Sequence, residues 1–310
     1  MPGFSKDSLA GAEREVPLIT SRYGSPVLIF VGFFIVIASV IGGYVLSHGV
    51  IGALWQPFEL MIIGGAAVGA FLISNPPKVV KEVGSSIGAV IKGPKYKSKD
   101  YLDILSLMYD VLSRARKEGM MSLEAHLEDP HASAVFSAYP SIVKDHHLLE
   151  FIVDCLRLMV GGNMNPHELE PLLEMELETH HHEAQAPAHA LAKVADSLPG
   201  FGIVAAVLGI VITMGSIGGD VAEVGHHVAE ALVGTFLGIL LAYGFVGPLA
   251  AAIEQRANED SKAFECVKTA LIASLRGYNP TVAVEFARKS LSVQVRPNFT
   301  DLEAHLKGQR

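Results

Sequence analysis

Ion, metal and nucleophile chemistry needs lone pairs or titratable protons at fixed spacing, and in this 310-residue chain such groups are sparse. The run ETHHHE, Glu178 to Glu183, sets Glu178 and His182 four residues apart, the separation that places two ligands on one helix face. No second ligand cluster at a matching spacing accompanies it, so a solvated helix face is the better reading. Cys155 and Cys266 are too few and too far apart for a disulfide framework or a zinc clasp. A glycine-rich phosphate loop and a locally pinned Ser/His/Asp or Cys/His set are both missing. Enzymatic activity therefore has no support, and no cofactor is expected.

Carboxylates inside apolar runs carry more information, because a charge in a bilayer core is costly and usually marks function. Glu59 follows Gln56 and Pro57 near the start of one apolar run, and Glu230 opens another. Glu59 reads equally well as an interfacial carboxylate bonded to Gln56 or as part of an ion site. Further on, one run carries Gly202, Ala206 and Gly209 and the next carries Gly234, Gly238 and Ala242, the small-xxx-small spacing that lets helix backbones approach. Ordinary packing is the favoured reading of that pattern. Yet Ala206, Gly209 and Thr213 share one helix face, and Thr235 faces with Gly238 and Ala242, so hydroxyls on a small-residue face suit a narrow polar path. Pro199 and Pro248 stand at one level at the inner edge of these runs. Pro199 reads as a helix-start proline and Pro248 as a packing kink, or both as hinges.

The elements that hold these residues follow from where charge is absent. Hydrophobic residues are 50% and charged residues 18%, with a mean hydropathy of +0.37, against roughly 25% charged in soluble domains. A net charge of −8 excludes a basic nucleic-acid footprint. Lys and Arg avoid residues 23–77 and 194–255, each long enough to cross a bilayer twice. Val27 to Leu46 and Ile51 to Ile73 form one predicted hairpin, Pro199 to Gly219 and Glu230 to Ala252 the other, with Gly218 to His227 as its connection. Lys78, Lys81, Lys92, Lys95, Lys97 and Lys99 follow the second span, and Arg256, Lys262 and Lys268 the fourth. Positively charged loops stay in the cytoplasm, so both termini and the 75–198 segment are expected there.

The predicted organisation is a flexible cytoplasmic tail over 1–25, a transmembrane hairpin over 26–74, a helical cytoplasmic domain over 75–198, a second hairpin over 199–252 and cytoplasmic helices over 253–310. The stripe of apolar positions 101, 104, 105, 108, 111 and 112 predicts an amphipathic helix over 101–118 that stops at Gly119. Others are expected over His146 to Val160, from an Asn165 cap and Pro166 through Leu198 into the third span, over Ala251 to Leu275, and over Pro280 to Leu291. Strand alternation of useful length is absent. The fold class is all-α, an integral membrane protein with four transmembrane helices in two hairpins.

The segments GGYVLSHGVIGALWQPFEL, SRARKEGMMSLEAHLEDP, FIVDCLRLMVGGNMNPHELE, ADSLPGFGIVAAVLGI and LVGTFLGILLAYGFVGPLA resemble, in order and spacing, the flagellar motor stator family MotA of the MotA/TolQ/ExbB proton channel superfamily, from about residue 26 to about 300. The resemblance implies five copies in a ring around two copies of MotB, a single-span partner whose membrane aspartate carries the ion, in the bacterial inner membrane. It implies that Pro199 and Pro248 serve conformational change, that Arg116 and Glu124 engage the rotor protein FliG, and that Thr235 lies beside the ion path. It places Ala206 where sodium-driven relatives carry a hydroxyl, so the expected ion is a proton. The rival readings are an ExbB/TolQ-like energiser, with three spans, and a transporter that works alone.

Overall fold

The computed structural model describes residues 26–162, 166–215 and 221–308. The 1–25 tail, the Asn165 cap, the end of the third span at Gly219 and the first part of its connection lie outside them. Among the described residues every regular element is a helix.

In chain order they are α1 (Pro26–Leu46), α2 (Pro57–Ser74), α3 (Pro77–Lys92), α4 (Ser98–Glu118), short α5 (Glu124–Glu128), α6 (Ala134–Ser137) and α7 (Pro140–Val143), then α8 (His146–Val160), α9 (Pro166–Gly215), α10 (Val221–Leu241), α11 (Gly247–Leu275), α12 (Pro280–Ser290) and α13 (Phe299–Gly308). Among the described residues four helical stretches are long and apolar enough to cross a membrane. The second is not one continuous helix from Ile51. A 3-10 turn, Ile51–Leu54, precedes it, and α2 starts only at Pro57, where a proline is tolerated because the first-turn N–H has no helical partner.

α1 stands at the margin of the bundle. Its Phe33 ring meets Phe245 at 5.1 Å and Ile29 packs near Val90 and Ile253, while Phe34, Ile35 and Ile37 remain exposed to the apolar surroundings a span requires. α2 buries one face only. Glu59, Ile63 and Ala67 recur every four residues on it, and Ile63 and Ala67 join Leu198, Ala205 and Ala242 in a small intramembrane core.

α9 is 50 residues long, about 75 Å at 1.5 Å per residue, and so joins the membrane layer to the extramembrane body without a break. Pro199 therefore lies inside a helix and does not start one. α9 carries Pro171, Pro187 and Pro199 internally, each removing one backbone hydrogen bond at a cost of about 3 kcal/mol, which packing against α10 and α11 must offset. A π-turn over Ala242–Val246 connects α10 to α11, making a second unbroken rod.

Among the described residues the extramembrane body has one large core, built where α4, α8, the distal part of α11 and α12 meet around residues such as Leu105, Leu112, Ile152, Leu156 and Leu271. Every apolar position of the predicted 101–118 stripe is buried there. α3, which the sequence reading left unassigned, lies between the membrane layer and this body. Arg256 of α11 caps its end by donating to the carbonyls of Ala89, at 2.5 Å, and Gly93, and it pairs with Asp260 at 3.5 Å. Gly93 ends the helix with φ 89°, a conformation that favours glycine. Lys95 and Tyr96 then bind Asp145 at 2.8 and 2.5 Å, and Asp145 caps α8 by accepting from the Leu148 amide.

Candidate functional site

The seam between α9 and α10 is made by missing side chains. A Cβ on Gly202 would stand 3.0 Å from the Gly234 carbonyl, and one on Gly238 only 2.7 Å from the Leu198 carbonyl. A Cβ on Gly209 would meet Ala231 at 2.9 Å. Since lipid tails are as apolar as the helices, contact of this kind rests on van der Waals packing and not on removal from water. Ala206 is buried in the seam beside Gly234. Thr213, 3% exposed, donates its hydroxyl to the Gly209 carbonyl at 2.9 Å, and Thr235 is half-buried next to Gly202. The structure thus brings Ala206, Thr213 and Thr235 to one helix pair, but within this chain Ala206 and Thr213 face protein and Thr213 already uses its donor.

At the outer end of the seam lies a polar cluster that the sequence reading paired differently. Gln56 does not bond Glu59. It donates to Glu230 at 3.4 Å and to the Ala53 carbonyl, while His227 Nδ1 approaches the other oxygen of Glu230 at 3.1 Å. The His226 and His227 rings stack at 6.2 Å, with His226 Nδ1 3.8 Å from Glu230. Glu59 is 9% exposed, and its Oε2 is buried with no hydrogen-bond partner among the described residues. The stem of Glu59 fills the space that Gly234 leaves open: a Cβ there would meet Glu59 Cγ at 3.3 Å and the Ala205 Cβ at 3.2 Å. His226 and His227 escaped the sequence reading because it placed them in the Gly218 to His227 connection, whereas α10 runs from Val221 and sets both about one turn before Glu230 on the same helix.

At the inner end the two prolines differ. Pro199 is half-buried within α9; Pro248 is exposed at the second position of α11, directly after the π-turn. Proline cannot donate to the carbonyl four residues back, and the wider turn accommodates this, with the Gly247 amide reaching back to Ala242. The expected kink is thus a π-turn. A cleft of about 320 Å³, lined by Leu28, Ile29, Val90, Pro94, Pro248 and Arg256 among others, flanks it.

Arg116 and Glu124 lie far along the chain from this seam, on the surface of the extramembrane body. Arg116 is in the last turn of α4 and Glu124 in the first turn of α5, joined through Gly119 at φ 89° and the 3-10 turn Met120–Leu123. Each charge suits the helix end it occupies. Both are exposed, and neither makes an ion pair or side-chain hydrogen bond among the described residues, whereas neighbouring Arg114 is held by Glu118 and His126. The turn presents two unneutralised charges of opposite sign to the aqueous side.

The ETHHHE run divides by face. Glu178 and His182 form an exposed pair at 3.8 Å. His181 bonds Ser261 and Gln185, and Gln185 bonds Asn258, which ties α9 to α11. His180 stacks on Phe264 at 4.0 Å, its Nδ1 buried without a partner; burial, with the nearby His147 and Lys95, lowers its pKa below the usual value. The solvated reading holds for one side of the run only.

Residues 30–119 match the family model described as motility protein A N-terminal, and residues 144–266 that of the MotA/TolQ/ExbB proton channel family. Motility protein A of Salmonella typhimurium is 48% identical over 283 residues, covering 91% of this chain and 96% of the relative. Among solved structures, MotAB of C. jejuni aligns with a TM-score of 0.68 at 17% identity, covering 86% of this chain and 96% of that one. The flagellar MotAB stator complex of Bacillus subtilis aligns at 0.64 and 23% identity, covering 91% and 98%. With its four spans, glycine seam and continuous helices into a charged extramembrane body, this chain belongs to the motility protein A family.

Proposed function

We propose that the chain is the ring-forming subunit of a flagellar stator in the bacterial inner membrane, with both termini cytoplasmic, which together with MotB lets protons flow inward and turns that flow into torque. The observation that carries this reading is the pair of unbroken rods, α9 and α10 to α11, which join an ion-path seam to a body bearing Arg116 and Glu124. α9 holds no ionisable residue from Pro199 to Gly215 and α10 none from Ala231 to Leu241, so inward of Glu59 and Glu230 the ion-carrying carboxylate beside the seam comes from a partner, the role of the MotB aspartate. A pentamer around two MotB chains would set α9 and α10 around that aspartate. Ala206 supplies no side-chain oxygen, and Thr213 and Thr235 alone leave few to replace the hydration shell of sodium, which favours a proton.

When the partner's carboxylate takes up a proton it loses its charge, and its favoured contacts with the seam change. Pro199 and the π-turn before Pro248 are the points next to the seam where each rod lacks regular hydrogen bonding, so a packing change there would be passed to the cytoplasmic body as rigid rotation. Arg116 and Glu124 would then act on complementary charges of the rotor protein FliG. Proteoliposomes test the reading. The chain with MotB should conduct protons and restore swimming to cells lacking their own stator, whereas robust flux through the chain alone would mark a self-sufficient transporter and reject it.

A further inference from the structure

Glu59 and Gly234 lie at one depth, with Gln56 and Glu230 about one helical turn outward of them and His226 and His227 about one turn farther out. Gln56 precedes Glu59 by three residues on α2, Glu230 precedes Gly234 by four on α10, and the Gln56–Glu230 hydrogen bond at 3.4 Å joins those outer positions. Glu59 itself is 9% exposed, makes no hydrogen bond among the described residues, and passes its stem through the gap at Gly234 to the level of Ala206, whose amide nitrogen borders the same gap at 3.5 Å. A purely structural carboxylate would have found a donor, because an unpaired buried polar group is costly. Here Gln56, the nearest donor on its own helix, is turned to Glu230. We propose that Glu59 is a proton-carrying residue of the entry path, receiving protons from water at the outer histidine–carboxylate cluster and handing them to the ion-carrying carboxylate of the partner.

The step balances simply. A proton from outside forms the O–H bond at Oε2; that bond breaks as the proton passes inward, and Glu59 returns to its starting carboxylate. The ionisable groups that share this end of the bundle among the described residues are Glu230, His226 and His227 on α10; α9 contributes none, and exposed His48 follows α1. Gly234 has a matching role, since a Cβ there would crowd the Glu59 stem at 3.3 Å.

The proposal rests on the stator reading, and the test separates the two. Complexes with MotB are reconstituted in vesicles, and proton flux is followed as external pH is varied. Glu59→Gln keeps the shape but cannot carry a proton; its flux should fall roughly 100-fold, the lower end of what a positioned proton carrier contributes, with the external pH dependence flattened, while Glu59→Asp stays within about tenfold of the wild type. A Glu59→Gln complex that conducts with the wild-type pH profile overturns the proposal and leaves the stator reading standing; an assembled wild-type complex that passes no protons overturns both. Should Glu59→Gln fail to assemble, labelling of the wild-type complex by a hydrophobic carbodiimide, which attacks protonated carboxyls in apolar sites, decides the matter. Modification of Glu59 that declines as pH rises supports proton carriage, and an unlabelled Glu59 across the pH series refutes it.

Discussion

Replacing Gly238 by alanine tests the seam directly. The new Cβ would stand 2.7 Å from the Leu198 carbonyl and 2.9 Å from the Gly202 Cα, both backbone atoms that cannot swing aside. Ordinary contact begins near 3.4 Å, so α9 and α10 must part by about 0.7 Å at this level. Overpacking of this kind costs about 1–3 kcal/mol, and the better helix propensity of alanine returns about 1 kcal/mol. The net loss is thus up to ~2 kcal/mol. Gly84→Ala in exposed α3, where nothing lies within 4 Å of the new atom, gains the propensity without the clash and serves as the control. Reversible unfolding in mixed micelles, with the MotB complex assayed for torque alongside, should put Gly238→Ala below the control by ~1–3 kcal/mol. Equal stability of the two variants would refute the close approach of α9 and α10.

Three other outcomes follow from the same structure. Reversing Arg116 or Glu124 should leave stability within about 1 kcal/mol, since both are exposed and unpaired, yet reduce torque, with partial recovery from an opposite reversal on FliG; loss of expression in Arg116→Glu would show a structural role instead. Pro199→Ala and Pro248→Ala should keep membrane insertion and MotB co-purification while losing most torque, and normal swimming by both would remove the prolines from the mechanism. His180 is held below its ordinary value of 6.5 by burial, so the unfolded chain binds its proton first on acidification; its contribution to stability is complete above pH 6.5 and falls away as pH drops toward the lower folded value. His180→Phe should flatten that part of the stability–pH profile, and an unchanged profile would show that the ring is not buried neutral.

Much of the architecture was legible in the sequence because its cause is local. A charge-free stretch of the right length states its own solvent, and a 3.6-residue stripe states which face of a helix turns inward. The predicted bounds of α8 agree with the structure, and those of α4 and α12 agree to within three residues. α3 was missed because Gly84, Ser85, Ser86 and Gly88 dilute a stripe that only α9 and α11 complete. Pro199 misled for a related reason: proline ends an isolated helix, but α9 passes through it because α10 packs along that stretch and outweighs one lost hydrogen bond. Local sequence likewise offered Gln56 to Glu59, while the folded chain gave Gln56 to Glu230, 174 residues away, and left the Glu59 oxygen unpaired in a gap made by Gly234. The division of ETHHHE into a stacked, a bonded and an exposed histidine was also invisible beforehand. Helix periodicity says that residues share a face, and only the neighbouring helices decide which faces are closed to water and which polar groups find partners there.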